Sequence, residues 1–378
     1  MNLKLSKIFI IFVLFSINFY GQNKFEIYVG PISRFKETEI FEFIDLVKKA
    51  GFNSIFLPYG FSDSTLKIYR YCSEKEFKIF IKLGGVPFNE NLRKAINSKG
   101  QKEKLNCPAQ KEVWQFLYLY TEKFFNNFKG EDFLKNITGI YFDIEKFVDS
   151  DICYCDECFN SFFKSKNIKE EIKDFNRKRY LIDKNLFSEY IEFERERMVE
   201  ILKDIEENIH VINPDLIIAY YPLFWKKPFF LKTLFTLLIP EKFPPPLWWH
   251  VYRKSGWVSL AILKGLGKPE KPVLAWDDYY YWSGYTPDPY YTNRVKKFLK
   301  SYLGYESWWF PSILYVTSCN FKGEFTPKRA YEEYKKLVLI SDYGAIFYGE
   351  GEKGKSLWDS HIKFLKEFEK NSLGFTNF

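Results

Sequence analysis

Short apolar runs recur along this chain, each followed by a longer stretch whose apolar positions fall three or four residues apart. Lys24 to Val29, leaving through Gly30-Pro31, reads as a first strand. Glu37 to Ala50 carries helical spacing at Ile40, Phe43, Ile44 and Val47, with Gly51 suited to the C-terminal cap. Asn53 to Gly60 is a second strand, helical spacing follows around Leu66 to Phe77, and Lys78 to Leu83 is a third strand closed by Gly84-Gly85. Residues 86–110 are polar and read as an irregular loop, and Gln110 to Phe128 as one long amphipathic helix. Strand and helix signals that alternate in this way predict βαβ units around a parallel sheet.

The fourth strand, Thr138-Gly-Ile-Tyr-Phe-Asp-Ile-Glu145, is the informative one. Alternation puts Gly139, Tyr141, Asp143 and Glu145 on one face and Ile140, Phe142 and Ile144 on the other. A strand ending in two acids on one face is what a parallel barrel needs to hold an acid catalyst at its carboxyl end. Acids at strand ends are also commonly solvated residues or helix caps.

A helical region over 167–209 leads to a fifth strand, Leu216 to Tyr221. Phe224 to Trp249 is aromatic but interrupted by Pro240, Pro244, Pro245 and Pro246, which excludes a membrane span there. Later strand candidates are Trp248–Tyr252, Val273–Asp278, Trp309–Val316 and Tyr343–Glu350, the last preceded by a helix over Thr326–Ile340. Eight or nine candidates compete for eight places, so one between 247 and 316 is surplus. The expected fold is α/β, a single-domain (β/α)8 TIM barrel over 22–378, with long loops at 86–110, 223–256 and 279–305 on the catalytic face.

Ahead of that domain, Lys4 and Lys7 precede the apolar run Ile8–Phe15, which marks residues 1–21 as a signal peptide and the protein as secreted, periplasmic or surface-bound. Phe19 is a poor residue for the cleavage site, which leaves an uncleaved membrane anchor open. The formal charge of +8 falls to +6 without residues 1–21, and the lysines are interspersed with acids, which argues against nucleic acid as a partner. Aromatic residues make up 21% of the chain, an excess that suits sugar rings as well as core packing. Tyr59, Tyr221, Trp276, Tyr280 and Trp308 are the candidate sugar-stacking residues. No phosphate-binding glycine loop, G-x-S-x-G elbow or H-E-x-x-H motif is present, so no organic cofactor is expected.

Six cysteines remain to be placed: Cys72, Cys107, Cys153, Cys155, Cys158 and Cys319. Cys153, Cys155 and Cys158 can converge on one metal ion that still needs a fourth ligand. An exported chain with an even number of cysteines is equally compatible with disulfides.

A strand-four glutamate followed by C-x-C-x-x-C running into an amphipathic helix resembles the family 42 β-galactosidases and related barrel glycosidases. In zinc-bearing members a further upstream cysteine joins the three, and here Cys107 stands 46 residues before Cys153. The resemblance therefore implies a structural, non-catalytic zinc on Cys107, Cys153, Cys155 and Cys158. That family carries Asn immediately before the glutamate, whereas this chain has Ile144. The ending Asp143-x-Glu145 is similar instead to the end of the family 18 chitinase motif, although Thr138 and Tyr141 replace two of that motif's aspartates.

Together these resemblances imply a glycoside hydrolase acting on an oligo- or polysaccharide, with Glu145 as general acid. Asp143 would orient it or hold a substrate acetamido group. The second carboxylate would come from Asp277, Asp278 or Glu350, at about 5–5.5 Å for a retaining and about 6.5–9.5 Å for an inverting enzyme. The competing expectation is a carbohydrate-binding barrel that has lost the chemistry.

Overall fold

The computed structural model describes residues 25–29, 36–143, 152–221, 257–277, 289–316 and 344–350, with a few helical positions between 334 and 367. Chain order gives β1 (Phe25–Val29), α1 (Glu37–Lys49), β2 (Ser54–Pro58), α2 (Asp63–Glu74), β3 (Lys78–Gly84), β4 (Lys94–Ile96) and β5 (Lys102–Asn106). It continues with α3 (Lys111–Trp114), α4 (Phe116–Asn127), β6 (Ile137–Asp143), α5 (Asp156–Ser165), α6 (Arg177–Asp183), α7 (Phe187–Ile212) and β7 (Ile217–Tyr221). The remainder is α8 (Trp257–Gly265), β8 (Leu274–Asp277), α9 (Pro289–Leu303), β9 (Trp308–Val316) and β10 (Gly344–Glu350).

Eight of the strands close into a parallel ring in the order β1-β10-β9-β8-β7-β6-β3-β2. The stretch read as strand four is β6, fourth in the ring, paired to β3 and β7. The ring closes without Trp248–Tyr252, a candidate that lies outside the described residues.

Alternation along the strands creates two cores. Ile27, Phe56, Phe80, Tyr141, Ala219, Tyr221, Leu274, Trp276, Phe310 and Ile346 fill the inside of the ring. Ile55, Leu57, Ile79, Ile81, Ile140, Phe142, Ile218, Tyr220 and Ala275 face outward and pack under the helices. Strand β6 divides as its alternation predicts, Tyr141 inside and Ile140 and Phe142 outside. Gly139 is required at the inner base of β6, because a Cβ there would lie 2.3 Å from the Ile217 carbonyl oxygen and 2.7 Å from the Phe80 ring.

Local chemistry sets the helix ends. The Ser62 hydroxyl accepts from the Thr65 amide at 3.2 Å and starts α2. Gly51, at φ +97°, turns the chain out of α1.

Two loop expectations differ from the structure. Within 86–110, β4 and β5 form an antiparallel hairpin, closed by Asn97, whose side-chain oxygen accepts from the amides of Lys99 and Gln101. Its strands are short and charged, so they carry no apolar alternation to read. Within 279–305, α9 begins at Pro289, a residue pre-set for the first helical turn, and buries Phe298 and Leu299. The predicted helix over 110–128 is broken by a turn at Gln115 into α3 and α4, although Gln115 keeps helical backbone angles.

Candidate functional site

At the carboxyl end of the ring the inner residues become aromatic. Phe56 lies 4.8 Å from Tyr141 and 5.1 Å from Phe80, Tyr141 lies 5.6 Å from Trp276, and Trp276 lies 5.0 Å from Tyr221, all between ring centroids. Asp143 ends β6 two residues beyond Tyr141, on the same inward face, in register with Tyr221. Gly84, at φ +88°, turns the neighbouring β3 aside, and a Cβ on Gly85 would come within 3.2 Å of the Asp143 carbonyl oxygen. The β3 exit is thus pressed against the end of β6. Lys82 shares the inward register of Phe80, pairs with Tyr141, and holds its Nζ 5.8 Å from the Tyr141 ring centroid.

The second constellation sits just beyond. The ligand atoms of Cys107, Cys153, Cys155 and Cys158, all buried, lie within 4.8 Å of one another and could hold a metal ion. Sγ of Cys107 is 3.4 Å from that of Cys158 and 3.7 Å from that of Cys155, and none of the four is in a disulfide.

Their carriers are separate segments. Cys107 follows the hairpin, whose Arg93 carbonyl accepts from the Cys107 amide at 2.8 Å. Cys153 and Cys155 lie in the loop after β6, and Cys158 is on α5. That loop is clamped from three sides. The Tyr154 amide donates to Ile96 at 2.9 Å, the Tyr190 hydroxyl to the Cys153 carbonyl at 2.5 Å, and the Arg177 guanidinium to the Tyr154 carbonyl at 2.6 Å.

The four thiols perturb one another strongly. Hydrogen bonds from Cys107, Cys153 and Cys158 pull the Cys155 thiol far below its ordinary range. Hydrogen bonds with Cys107 and Cys155, joined by burial, push Cys153 and Cys158 up. Arg93 Nη2 is 3.9 Å from Cys107 Sγ. Burial opposes its charge, but Cys107, Cys155 and Cys158 outweigh burial and hold the guanidinium charged. Burial raises the pKa of Glu194, fully enclosed behind Cys158, against the pull of Arg197 at 2.9 Å.

Of the candidate stacking residues, Tyr221 and Trp276 belong to the inner core and Trp308 packs against it. Tyr59 lies elsewhere: it packs on the outer core, stacked on Tyr120 at 5.2 Å, because it continues the outward register of Ile55 and Leu57. Asp277 and Glu350 are the last residues of β8 and β10. Glu145, Asp278, Tyr280, Cys319 and residues 1–21 lie outside the described residues. Cys72 is buried in the outer core on α2. Phe56, Phe80, Lys82 and Tyr141 were not singled out from the sequence, although their alternation with Ile55, Ile79, Ile81 and Ile140 carried the signal.

No protein-family description matches this chain, and no curated protein matches it by sequence. Solved structures do match by fold. The β-galactosidase from Bacillus circulans sp. alkalophilus aligns with TM-score 0.53 at 12% identity, over 92% of this chain and 56% of that one. The β-galactosidase from the Antarctic haloarchaeon Halorubrum lacusprofundi aligns with TM-score 0.52 at 11% identity, over 91% and 58%. This chain therefore spans little more than half the length of either. The catalytic domain of β-amylase from Paenibacillus polymyxa aligns with TM-score 0.51 at 10% identity, over 86% of this chain and 92% of that one. What the chain shares with these glycoside hydrolases, at such low identity, is the TIM-barrel-like fold.

Proposed function

We propose that this chain is a secreted glycoside hydrolase, a single (β/α)8 domain over residues 22–378 behind a signal peptide at 1–21. It would cleave O-glycosidic bonds in an oligo- or polysaccharide by carboxylate general acid/base catalysis. The observation that carries the reading is the place of Asp143: at the carboxyl end of the fourth strand of a closed parallel ring, on the inward face, beside Tyr141, Tyr221 and Trp276. Flat aromatic faces bind sugar rings, and strand-end carboxyls supply the proton and the charge that glycoside cleavage needs.

In this mechanism Glu145 protonates the leaving glycosidic oxygen. Asp143 orients Glu145, or holds a substrate acetamido group as the internal nucleophile. The charge of Asp143 and partial removal from water would raise the pKa of Glu145 toward working pH. Asp277, Asp278 and Glu350 remain the candidates for a second carboxylate.

The four thiols would hold a structural zinc. A tetrahedron with Zn–S bonds of about 2.3 Å has sulfur–sulfur edges of about 3.8 Å, whereas a disulfide needs about 2.05 Å. Separations of 3.4 and 3.7 Å fit the former. With four protein ligands the ion has no open position, so its part is to tie the hairpin, the loop after β6 and α5 together.

The test is turnover of a broad panel of glycosides and oligosaccharides by the full chain and by Glu145→Gln. Loss of about 10²–10⁴-fold in kcat with saccharide binding kept is the expected result. No turnover by the unmutated protein, with sugars still bound, would instead establish the non-catalytic carbohydrate-binding barrel. Metal analysis should find one zinc per chain, and under about half an equivalent counts against the four-thiolate site.

A further inference from the structure

The β4–β5 hairpin delivers an arginine as well as a cysteine to the four sulfurs. Asn106, buried and next to Cys107, fixes the chain that leads into β4. Its carboxamide accepts from the Asn89 amide at 2.9 Å and donates to the Asn89 and Leu92 carbonyls at 2.8 and 3.3 Å. Gln110 grips the next residue, Arg93, at both of its backbone groups, accepting from the amide at 3.0 Å and donating to the carbonyl at 2.8 Å. The same Gln110 Nε2 lies 3.2 Å from the Cys107 carbonyl oxygen, and the Cys107 amide donates to the Arg93 carbonyl at 2.8 Å. Arg93 and Cys107 are thereby held in one relative position. All of these ties are made by main-chain atoms of Arg93, so they would hold any residue there, and the guanidinium is additional. It reaches the cluster from a half-buried position and sets Nη2 3.9 Å from Cys107 Sγ.

A divalent ion on four thiolates leaves a doubly negative site, and burying such a site is disfavoured unless cations and hydrogen-bond donors answer the charge. A second guanidinium, that of Arg197, also lies near the sulfurs, but it is held in an ion pair with Glu194 at 2.9 Å. We infer that Arg93 is a positioning residue for the metal: its guanidinium, set at Cys107 by the hairpin, offsets the negative charge of the loaded site and draws electron density from that sulfur through an N–H···S contact. The inference rests on the four-thiolate zinc reading above and adds what answers the charge of that site. A guanidinium suits the task, because its charge is permanent and it is more weakly hydrated than an ammonium, so it tolerates a half-buried place. It strengthens retention of the ion without occupying a coordination position.

The test strips the full chain with a chelator and reloads it with zinc alone or with cobalt(II) alone. Competition with a colorimetric chelator reads zinc affinity, and the sulfur-to-cobalt charge-transfer band reads electron density on the thiolates. Arg93→Met should weaken zinc retention about 10–100-fold and move the cobalt band to longer wavelength, since a sulfur without its donor gives up charge more readily. Arg93→Lys, which keeps the charge, should recover part of both. Should Arg93→Met fail to fold, Arg93→Gln, neutral but polar, carries the same expectation for affinity. Affinity within about threefold of the natural protein and an unmoved band in the neutral variant overturn the inference and leave the zinc reading standing. Weaker retention with an unmoved band also overturns it, because Arg93 would then act only by shaping the hairpin. Failure of the natural protein to take up zinc would sink both readings.

Discussion

Arg177, the first residue of α6, is buried, and it reaches the cysteine-bearing loop through the one residue between Cys153 and Cys155. Its guanidinium donates to the Tyr154 carbonyl at 2.6 Å, to Asp156 Oδ1 at 2.5 Å and to the Ile172 carbonyl at 3.3 Å. It also pairs with Asp174 at 2.9 Å and lies over the Phe159 ring at 5.0 Å. Arg177→Met keeps much of the aliphatic stem and removes every one of these polar contacts.

The carboxylates of Asp156 and Asp174 are 77% and 47% exposed, so water replaces the guanidinium there and each pair contributes at most about 1 kcal/mol. The Tyr154 carbonyl is different, because Tyr154 is fully buried and its lost partner leaves a desolvation penalty of about 1–3 kcal/mol. With the Phe159 contact at about 0.5–1 kcal/mol, the expected loss is about 1.5–6 kcal/mol. Urea unfolding followed by tryptophan fluorescence measures it. A colorimetric chelator competition should also show weaker metal retention, since the freed Tyr154 segment no longer holds Cys153 and Cys155 together. A destabilisation under about 0.5 kcal/mol with unchanged metal retention would refute the claim that Arg177 fixes this loop.

Gly139→Ala places a methyl against a strand carbonyl and an immobile ring, and should cost at least about 2 kcal/mol in the same unfolding measurement. A neutral result would mean that β6 and β7 can move apart at their base. At the opposite end of the barrel from the mouth, Glu206 pairs with His210 at 2.6 Å and Lys268 at 2.9 Å. Burial pushes the pKa of Glu206 up, but these two partners outweigh it and leave it below the ordinary carboxylate range. A carboxylate with a depressed folded pKa adds stability above its unfolded pKa and loses it as pH falls through the folded one. The stability gap between the natural protein and Glu206→Gln should therefore be about 1–3 kcal/mol at pH 7 and close progressively below about pH 4.5, as read from urea midpoints across pH. A gap that does not vary with pH would refute this assignment.

Much of the barrel is legible in the chain because its strands alternate cleanly. Ile55, Leu57, Ile79, Ile81, Ile140 and Phe142 mark the outer face of three successive strands, and counting from them gives the position of Asp143 at the end of the last. The hairpin over 94–106 was not legible, since its stability comes from a turn built on Asn97 and from its packing against Tyr154, neither of which has a hydrophobic period. Tyr59 was named for its place beside a strand end, and the structure packs it in the outward register, toward the helices.

Periodicity and residue type, which are local, therefore determined the succession of strands and helices, the place of Asp143 and the grouping of three cysteines. Only closure of the ring decided which inward side chains become neighbours, setting Lys82 above Tyr141 and Tyr141 beside Trp276. Closure and the packing of the hairpin likewise brought Cys107 from 51 residues away to within 3.4 Å of Cys158. Such contacts join segments far apart in the chain, and their distances depend on how every strand between them is staggered and packed, which no local pattern records.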